Sequence, residues 1–349
     1  MESNRKLRIG ITIGDVNGIG PELIIKAFED SRLKDQCVPI LYGSSRVINI
    51  YRKVMGVEKF NYVVITTPSQ AHYHKLNLIE CVPNLERVDI GVASEASGEA
   101  AYLSLKRAIE DAQHQELDAL VTMPVNKATI EKQEPGFVGH TEMLAEAFNA
   151  QESLMLMVSD QMRIGVVTTH VPVKDISAQL TIEKIVKKVR LMNQTLKRDF
   201  TIEQPMIAVL GLNPHAGDDG LIGEEEKSII NPALIQLQKE GINVFGPYPA
   251  DGFFGALTYR KFDGIMAMYH DQGLIPFKLL AGYSGVNFTA GLPVVRTSPD
   301  HGVAYDIAGK DIADPESLRA ALYLAIDVVG QRRMNEKLEA EALGKGKGK

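Results

Sequence analysis

Only two of the 349 residues are cysteine, Cys37 and Cys81, and none is tryptophan. Two cysteines with no CxxC spacing form no disulfide framework, which excludes a disulfide-stapled secreted scaffold and fits a reducing compartment; the cytoplasm is the expected location. No apolar run approaches the ~18 residues of a membrane span. The opening Arg5-Lys-Leu-Arg-Ile-Gly breaks its apolar stretch at Gly10 and Gly14, unlike a signal peptide. No strong charge of one sign is present either: 38 Lys and Arg against 44 Asp and Glu leave a net charge of −6. Neither nucleic acid nor anionic lipid is therefore an expected partner, and an anionic ligand needs a local pocket. The dinucleotide fingerprint GxGxxG is missing too, because the early glycines read Gly14-Asp-Val-Asn-Gly18-Ile-Gly20.

What is there is an ordinary globular composition, 45% hydrophobic and 23% charged. Its length suits roughly two domains at ~150 residues each. Short apolar runs alternate with longer amphipathic segments, the pattern of parallel strands joined by crossover helices, so the fold class is α/β. Strands are expected at Leu7 to Ile13, Val38 to Tyr42, Ala119 to Thr122, Met155 to Val158, Ile164 to Thr168, Met206 to Leu210 and Gly264 to Met268. Helices are expected at Pro21 to Asp30, Gly98 to Gln113, Thr141 to Phe148, Thr181 to Leu196, Glu224 to Glu240 and Pro315 to Val329. No repeat and no Pro/Ser/Gly-rich linker appears, which suggests domains between which the chain crosses more than once. The turn-rich stretch Gly285 to Lys310 and the helix after it are expected to complete the first domain. That gives a discontinuous domain of residues 1–132 and 285–349, and a second of residues 133–284. The closing GKGKGK reads as a flexible tail.

The histidines carry the chemistry. His170 ends Arg163-Ile-Gly-Val-Val-Thr-Thr-His, His215 ends Ile207-Ala-Val-Leu-Gly-Leu-Asn-Pro-His, and His270 ends Gly264-Ile-Met-Ala-Met-Tyr-His. Each follows an apolar run, and each interval leaves room for a crossover helix and a return to the same end of the sheet. Ligands of open α/β sheets bind beyond the carboxyl ends of the strands. Three imidazoles there can hold a divalent metal with a coordination position open to substrate. Asp271, next to His270, and Asp251, in the turn-rich Pro247-Tyr-Pro-Ala-Asp, can orient an imidazole or move a proton.

Four further features bear on an anion. His140 precedes Thr141 at the start of a helical pattern, where free N–H groups attract phosphate or carboxylate and where Thr141 can also simply cap. Lys278 and Arg296 are available cations. The loop Gly14 to Gly20 reads as a structural turn, and Thr297-Ser-Pro-Asp-His301-Gly-Val-Ala-Tyr-Asp306 is too polar for a plain connector. His72 and His74, two apart as on one strand face, and His114 read as surface residues.

Four segments resemble one family: Val166-Val-Thr-Thr-His-Val-Pro, Gly211-Leu-Asn-Pro-His-Ala-Gly, Met268-Tyr-His-Asp-Gln-Gly-Leu and Arg296-Thr-Ser-Pro-Asp-His-Gly. In order and spacing they are similar to the 4-hydroxythreonine-4-phosphate dehydrogenases of vitamin B6 biosynthesis, and the resemblance runs from about Leu7 to Val329. It implies two α/β/α domains with a cleft between them, as in isocitrate and isopropylmalate dehydrogenases rather than a Rossmann fold. It also implies a homodimer whose active site takes residues from both subunits, with dimer contacts on the second domain. By the same resemblance His170, His215 and His270 bind zinc, magnesium, manganese or cobalt, and His140, Thr141, Lys278, Asn287 and Arg296 bind a phosphorylated substrate. NAD, or NADP, would meet His301, Gly302 and Asp306 on the first domain's adenine-side loop.

The implied reaction is NAD-dependent, metal-assisted oxidation of 4-phosphooxy-L-threonine to 2-amino-3-oxo-4-phosphooxybutanoate, which loses CO2 to give 3-amino-2-oxopropyl phosphate. Asp251, Asp271 and Lys278 are the candidates for proton transfer. Two positions depart from the family pattern: Asp15-Val-Asn-Gly stands where many members have Asp-Pro-Ala-Gly, and Val303 where Thr or Ser is usual. Close relatives oxidise D-erythronate or D-threonate 4-phosphate instead. A metal-dependent hydrolase is the alternative of another class, since three imidazoles also activate water.

Overall fold

The computed structural model describes residues 5–29, 32–82, 85 and 87–346. Contacts divide the chain into two units, residues 1–150 with 292–329 and residues 151–291 with 330–349.

The first unit contains strands β1 (Arg8–Thr12), β2 (Val38–Gly43), β3 (Tyr62–Ile65), β4 (Leu76–Glu80) and β5 (Ala119–Thr122), with β12 (Val295–Pro299) added from the far end of the sequence. They pair in the order β3-β4-β2-β1-β5-β12, and every pair is parallel. Helices on both faces explain the unbroken apolar runs: all six residues of β2 and all four of β5 are buried. The helices are α1 (Gly20–Glu29), α2 (Arg32–Gln36), α3 (Ser45–Val54), α4 (Glu95–Gln113), α5 (Lys127–Glu131), α6 (His140–Ala147) and the first part of α12 (Glu316–Gly346). Helix α4 starts three residues before its expected first residue because Ser94 accepts from the Ser97 N–H at 3.1 Å in a capping box. Gly98 then lets α4 meet α5, since a Cβ there would stand 2.5 Å from the Thr129 carbonyl oxygen.

The second unit orders β11-β6-β7-β10-β8-β9, with β6 (Leu154–Val158), β7 (Arg163–Thr168), β8 (Ile207–Leu210), β9 (Val244–Tyr248), β10 (Gly264–Tyr269) and β11 (Val286–Ala290). Strand β6 is antiparallel to both β7 and β11, while β7, β10, β8 and β9 run parallel. Its helices are α7 (Ile176–Gln179), α8 (Ile182–Phe200), α9 (Asn231–Lys239), α10 (Ala250–Gly255) and α11 (His270–Ala281). The Thr181 hydroxyl caps α8 by accepting from the Lys184 N–H.

The boundaries differ from those drawn on the sequence at 132/133 and 284/285, for three local reasons. Leu144 of α6 is buried in the first unit's core with Leu105 and Ile109 of α4. Strand β11 pairs with β6, which keeps residues up to 291 in the second unit. Arg332 donates to the buried carboxylate of Asp199 at 2.7 Å, which fastens the last part of α12 there. The stretch Gly285 to Lys310, expected to be turn-rich without a clean strand, contains strands β11 and β12. The GKGKGK end is helical through Gly346, not a flexible tail to that point, and Lys347 to Lys349 lie outside the described residues, as does Asp30. His72 and His74 share no strand face: both precede β4, and the His74 ring sits 2.8 Å from Asp35 on the surface.

Candidate active site

In the second unit the three strand-end histidines follow three neighbouring parallel strands. Thr168, the last residue of β7, donates its hydroxyl to the Met268 carbonyl of β10 at 2.8 Å, locking the two ends level. His170 comes two residues later and His270 opens α11, with ring centroids 6.3 Å apart. The Asp271 carboxylate lies 2.7 Å from His270 Nδ1. A carboxylate there favours the N–H on Nδ1 and leaves the Nε2 lone pair as the ligating site.

His215 stands on a left-handed turn after β8, with φ 54° at His215, 52° at Ala216, 42° at Asp218 and 54° at Asp219. Non-glycine residues adopt this region at a cost, so something must hold the turn. Glu226, 3% exposed, does so: its carboxylate accepts from the backbone N–H groups of Leu212 and Asn213 at 2.7 and 2.8 Å and from Asn213 Nδ2 at 2.9 Å. Gln272 ties the turn to β10, accepting from the Met268 N–H at 2.7 Å and donating to the Gly211 carbonyl at 2.6 Å. Among the described residues no group of three or more His, Cys, Asp or Glu is gathered closely enough to hold a metal. His170 and His270 are thus ring neighbours, and His215 is carried by the turn after β8.

The other second-unit candidates are spread out. Asp251, in the first turn of α10, is exposed, and α10 packs on the His215 turn. Its carboxylate has no hydrogen-bond partner among the described residues. Lys278 is exposed on α11, about 12 Å along the axis from His270 at 1.5 Å per residue. Asn287 on β11 has a buried Oδ1 without a partner.

In the first unit, Arg296 on β12 is 3% exposed and donates from Nε and Nη2 to the Thr122 hydroxyl at 3.0 and 2.7 Å. Burial pulls its pKa down to about 10, against the attraction of Glu142. His140 packs edge-on against Phe137, and its Nε2 is buried without a hydrogen-bond partner. Burial, with Arg296 and Lys127 nearby, pushes the His140 pKa down to about 3, so the ring is neutral at physiological pH. Thr141 is not the cap: α6 begins at His140, its N-cap is Gly139, and no side chain caps it.

The loop near His301 is fixed by the early glycine loop. The Ile19 N–H donates to the Val303 carbonyl at 3.0 Å, and a Cβ on Gly18 would meet Val303 Cγ1 at 2.2 Å. Tyr305 donates its hydroxyl to Asp15 at 2.5 Å, and Ser97 and the Asn17 N–H also donate to that carboxylate. Burial raises the Asp15 pKa despite these bonds. Asn17, one of the departures from the family pattern, adds bonds to the Val92 carbonyl and the Ser94 hydroxyl and accepts from the Asp89 N–H. The loop Gly14 to Gly20 is a clamp, in keeping with a structural turn. Within the clamped segment, His301 Nδ1 lies 3.0 Å from the Gly302 carbonyl, Asp306 is exposed, and nothing stands within 4 Å of a Cβ placed on Gly302.

Reading the sequence alone misses Thr122, Lys127, Asp15, Tyr305, Glu226 and Gln272 as parts of these sites. Glu226 and Gln272 had a signal in lying near His215 and His270, but their bonds run to backbone groups, which no motif records.

The chain is similar to known proteins in sequence and in fold. The model of the family described as pyridoxal phosphate biosynthetic protein PdxA matches residues 35–325. A 4-hydroxythreonine-4-phosphate dehydrogenase of Bacteroides thetaiotaomicron is 48% identical over 346 residues, covering 99% of this chain and 94% of the relative. A D-threonate 4-phosphate dehydrogenase of Cupriavidus necator is 39% identical, covering 93% of this chain and 98% of the relative. The crystal structure of 4-hydroxythreonine-4-phosphate dehydrogenase from Klebsiella pneumoniae superposes with a TM-score of 0.82 at 32% identity, covering 93% of this chain and 100% of that one. The class these matches define is a dehydrogenase oxidoreductase. The chain belongs to the pyridoxal phosphate biosynthetic protein PdxA family. No helix among the described residues is long and apolar enough to cross a membrane.

Proposed function

We propose that the chain is an NAD-dependent, divalent-metal-assisted dehydrogenase of 4-phosphooxy-L-threonine, acting in the cytoplasm in pyridoxal phosphate biosynthesis, with NADP as the alternative cofactor. The observation that carries this is the buried His140 Nε2, which has no protein partner, near buried Arg296: an imidazole in its Nε2–H tautomer beside a guanidinium is a donor set for a phosphate oxygen.

The donor chemistry of His170, His215 and His270 fits zinc, manganese, cobalt or magnesium, with imidazole favouring the first three. The ion, when bound, would polarise the substrate hydroxyl and lower its pKa. From the family resemblance, we read the active site as shared between the two subunits of a homodimer. The exposed apolar stripe Ile275, Leu279 and Tyr283, in and just past α11, supports a second copy as its occupant, since each is at least 66% exposed. NAD would accept the hydride, with the open backbone at Gly302 and the polar groups of His301 and Asp306 as its contacts.

The chain's own groups divide the work by their present engagements. Asp271 orients His270. Asp251, whose carboxylate is uncommitted, is the group to accept the hydroxyl proton, and Lys278 and Asn287 complete substrate binding. The ketone product is a β-keto acid, which loses CO2 to give 3-amino-2-oxopropyl phosphate.

A second reading, oxidation of D-threonate or D-erythronate 4-phosphate, draws on the name of the Cupriavidus necator relative. NADH formation by purified protein on 4-phosphooxy-L-threonine and on the two sugar-acid phosphates separates these readings. Preference for the threonine compound is expected, and preference for a sugar acid supports the second reading. Phosphate release without NAD from any of them would point to the hydrolase instead.

A further inference from the structure

Resting on the phosphate site read above, we propose that Lys127 is a third phosphate-recognising side chain, one that makes the site selective for a phosphomonoester over the unphosphorylated hydroxy acid. Lys127 follows β5 and opens α5, where Asn126 caps the helix by accepting from the Ala128 N–H at 3.1 Å. Its chain reaches back to the start of α6: Nζ and Cε lie 3.2 and 3.3 Å from the point where a Cβ on Gly139 would stand. Gly139 immediately precedes His140, so the residue without a side chain leaves the space that the ammonium occupies. A Cβ there would crowd the ammonium.

Lys127 has neither ion-pair nor hydrogen-bond partner for Nζ among the described residues. The charges nearby explain why it matters. Glu142 Oε2 lies 2.9 Å from the same point on Gly139 and acts on Arg296 as an opposing charge. With the one carboxylate, Glu142, set against the two cations Arg296 and Lys127, and with His140 neutral, the net positive charge of the site depends on Lys127. A phosphomonoester near pH 7 carries about −1.5 to −2, far more than Arg296 offset by Glu142 can meet. The ammonium also needs no burial to act, because a Lys binds phosphate as a point charge without fixed fork geometry.

The test compares wild type with Lys127→Ala and Lys127→Arg. Lys127→Ala is expected to raise KM for 4-phosphooxy-L-threonine and the inhibition constant of inorganic phosphate by about 10–100-fold, the range of one charge-assisted contact, with a smaller effect on kcat. Lys127→Arg, which keeps the charge, should recover most of both. Calorimetric titration with inorganic phosphate reads the same site without turnover, so it holds even if the wild type is silent on every phosphorylated hydroxy acid, a result that would overturn the functional reading alone. Phosphate affinity of Lys127→Ala within twofold of wild type overturns the proposal, as does an equal loss of affinity in Lys127→Arg. Thermal unfolding of each variant shows that it is folded, and Lys127 is exposed enough for the change to be tolerated.

Discussion

Replacing Glu226 probes the left-handed turn that carries His215. Its buried carboxylate accepts three hydrogen bonds, at 2.7, 2.8 and 2.9 Å, two of them from backbone N–H groups. Glu226→Ala removes all three acceptor contacts and strands two partly buried N–H donors. At about 1–3 kcal/mol for each buried group left unsatisfied, reduced for partial solvent access, the expected loss is about 2–4 kcal/mol. Glu226→Gln keeps one oxygen for the two backbone donors but turns its amide N–H against Asn213 Nδ2. Asn213 can relieve that only by rotating away from Glu225, which it holds at 2.8 Å, so about 1–2 kcal/mol should go. Urea unfolding followed by far-UV circular dichroism measures both, tryptophan fluorescence being ruled out by the absence of that residue. The order wild type, Glu226→Gln, Glu226→Ala is expected, with metal-dependent turnover falling in the same order. A Glu226→Ala protein within 1 kcal/mol of wild type would refute the role given to this carboxylate.

Two further outcomes follow from buried charges. Because the folded His140 pKa is about 3 against 6.5 in the unfolded chain, the unfolded state binds the extra proton between those values. Stability from this group is therefore full above pH 6.5 and falls as pH drops toward 3, by up to about 2 kcal/mol at pH 5; His140→Gln should flatten the difference in urea midpoints between pH 7 and pH 5, and an unchanged difference would contradict it. Asp199, whose side chain has no exposure, is pushed up by burial but held below its usual range by Arg332 and Arg198. Asp199→Asn should cost about 2–4 kcal/mol at pH 7, and this penalty should shrink as pH falls through the carboxyl's range, because the wild type itself then loses the ion pairs.

How much of this could be read from the sequence depended on where the information lay. Strands β1, β2, β5, β7, β8 and β10 are apolar runs ended by turn residues, and their expected bounds differ from those observed by at most one residue at either end. Strand β12, Val-Arg-Thr-Ser-Pro, is invisible to such a pattern because its buried Arg296 and Thr297 satisfy themselves against Thr122 and the Ala321 carbonyl, contacts made only in the folded state. Strand β9 hides behind Gly246 and Pro247. Helix α3 is absent from the expected helices, yet Val47, Ile48 and Tyr51 bury one face of it. At the site, the strand-end histidines were legible because a strand's polar terminus is a local signal. The engagement of Asp15 with Tyr305, 290 residues away, was not, because a long-range hydrogen bond leaves no mark on spacing.

The most direct test of the functional reading is NADH formation from 4-phosphooxy-L-threonine by chelator-treated protein, before and after a divalent metal is restored, with His215→Ala alongside and CO2 collected. The account predicts no NADH without metal, recovery on adding zinc, manganese or cobalt, one CO2 per NADH, and no recovery in His215→Ala. Undiminished NADH formation in the chelator-treated protein and in His215→Ala would contradict it.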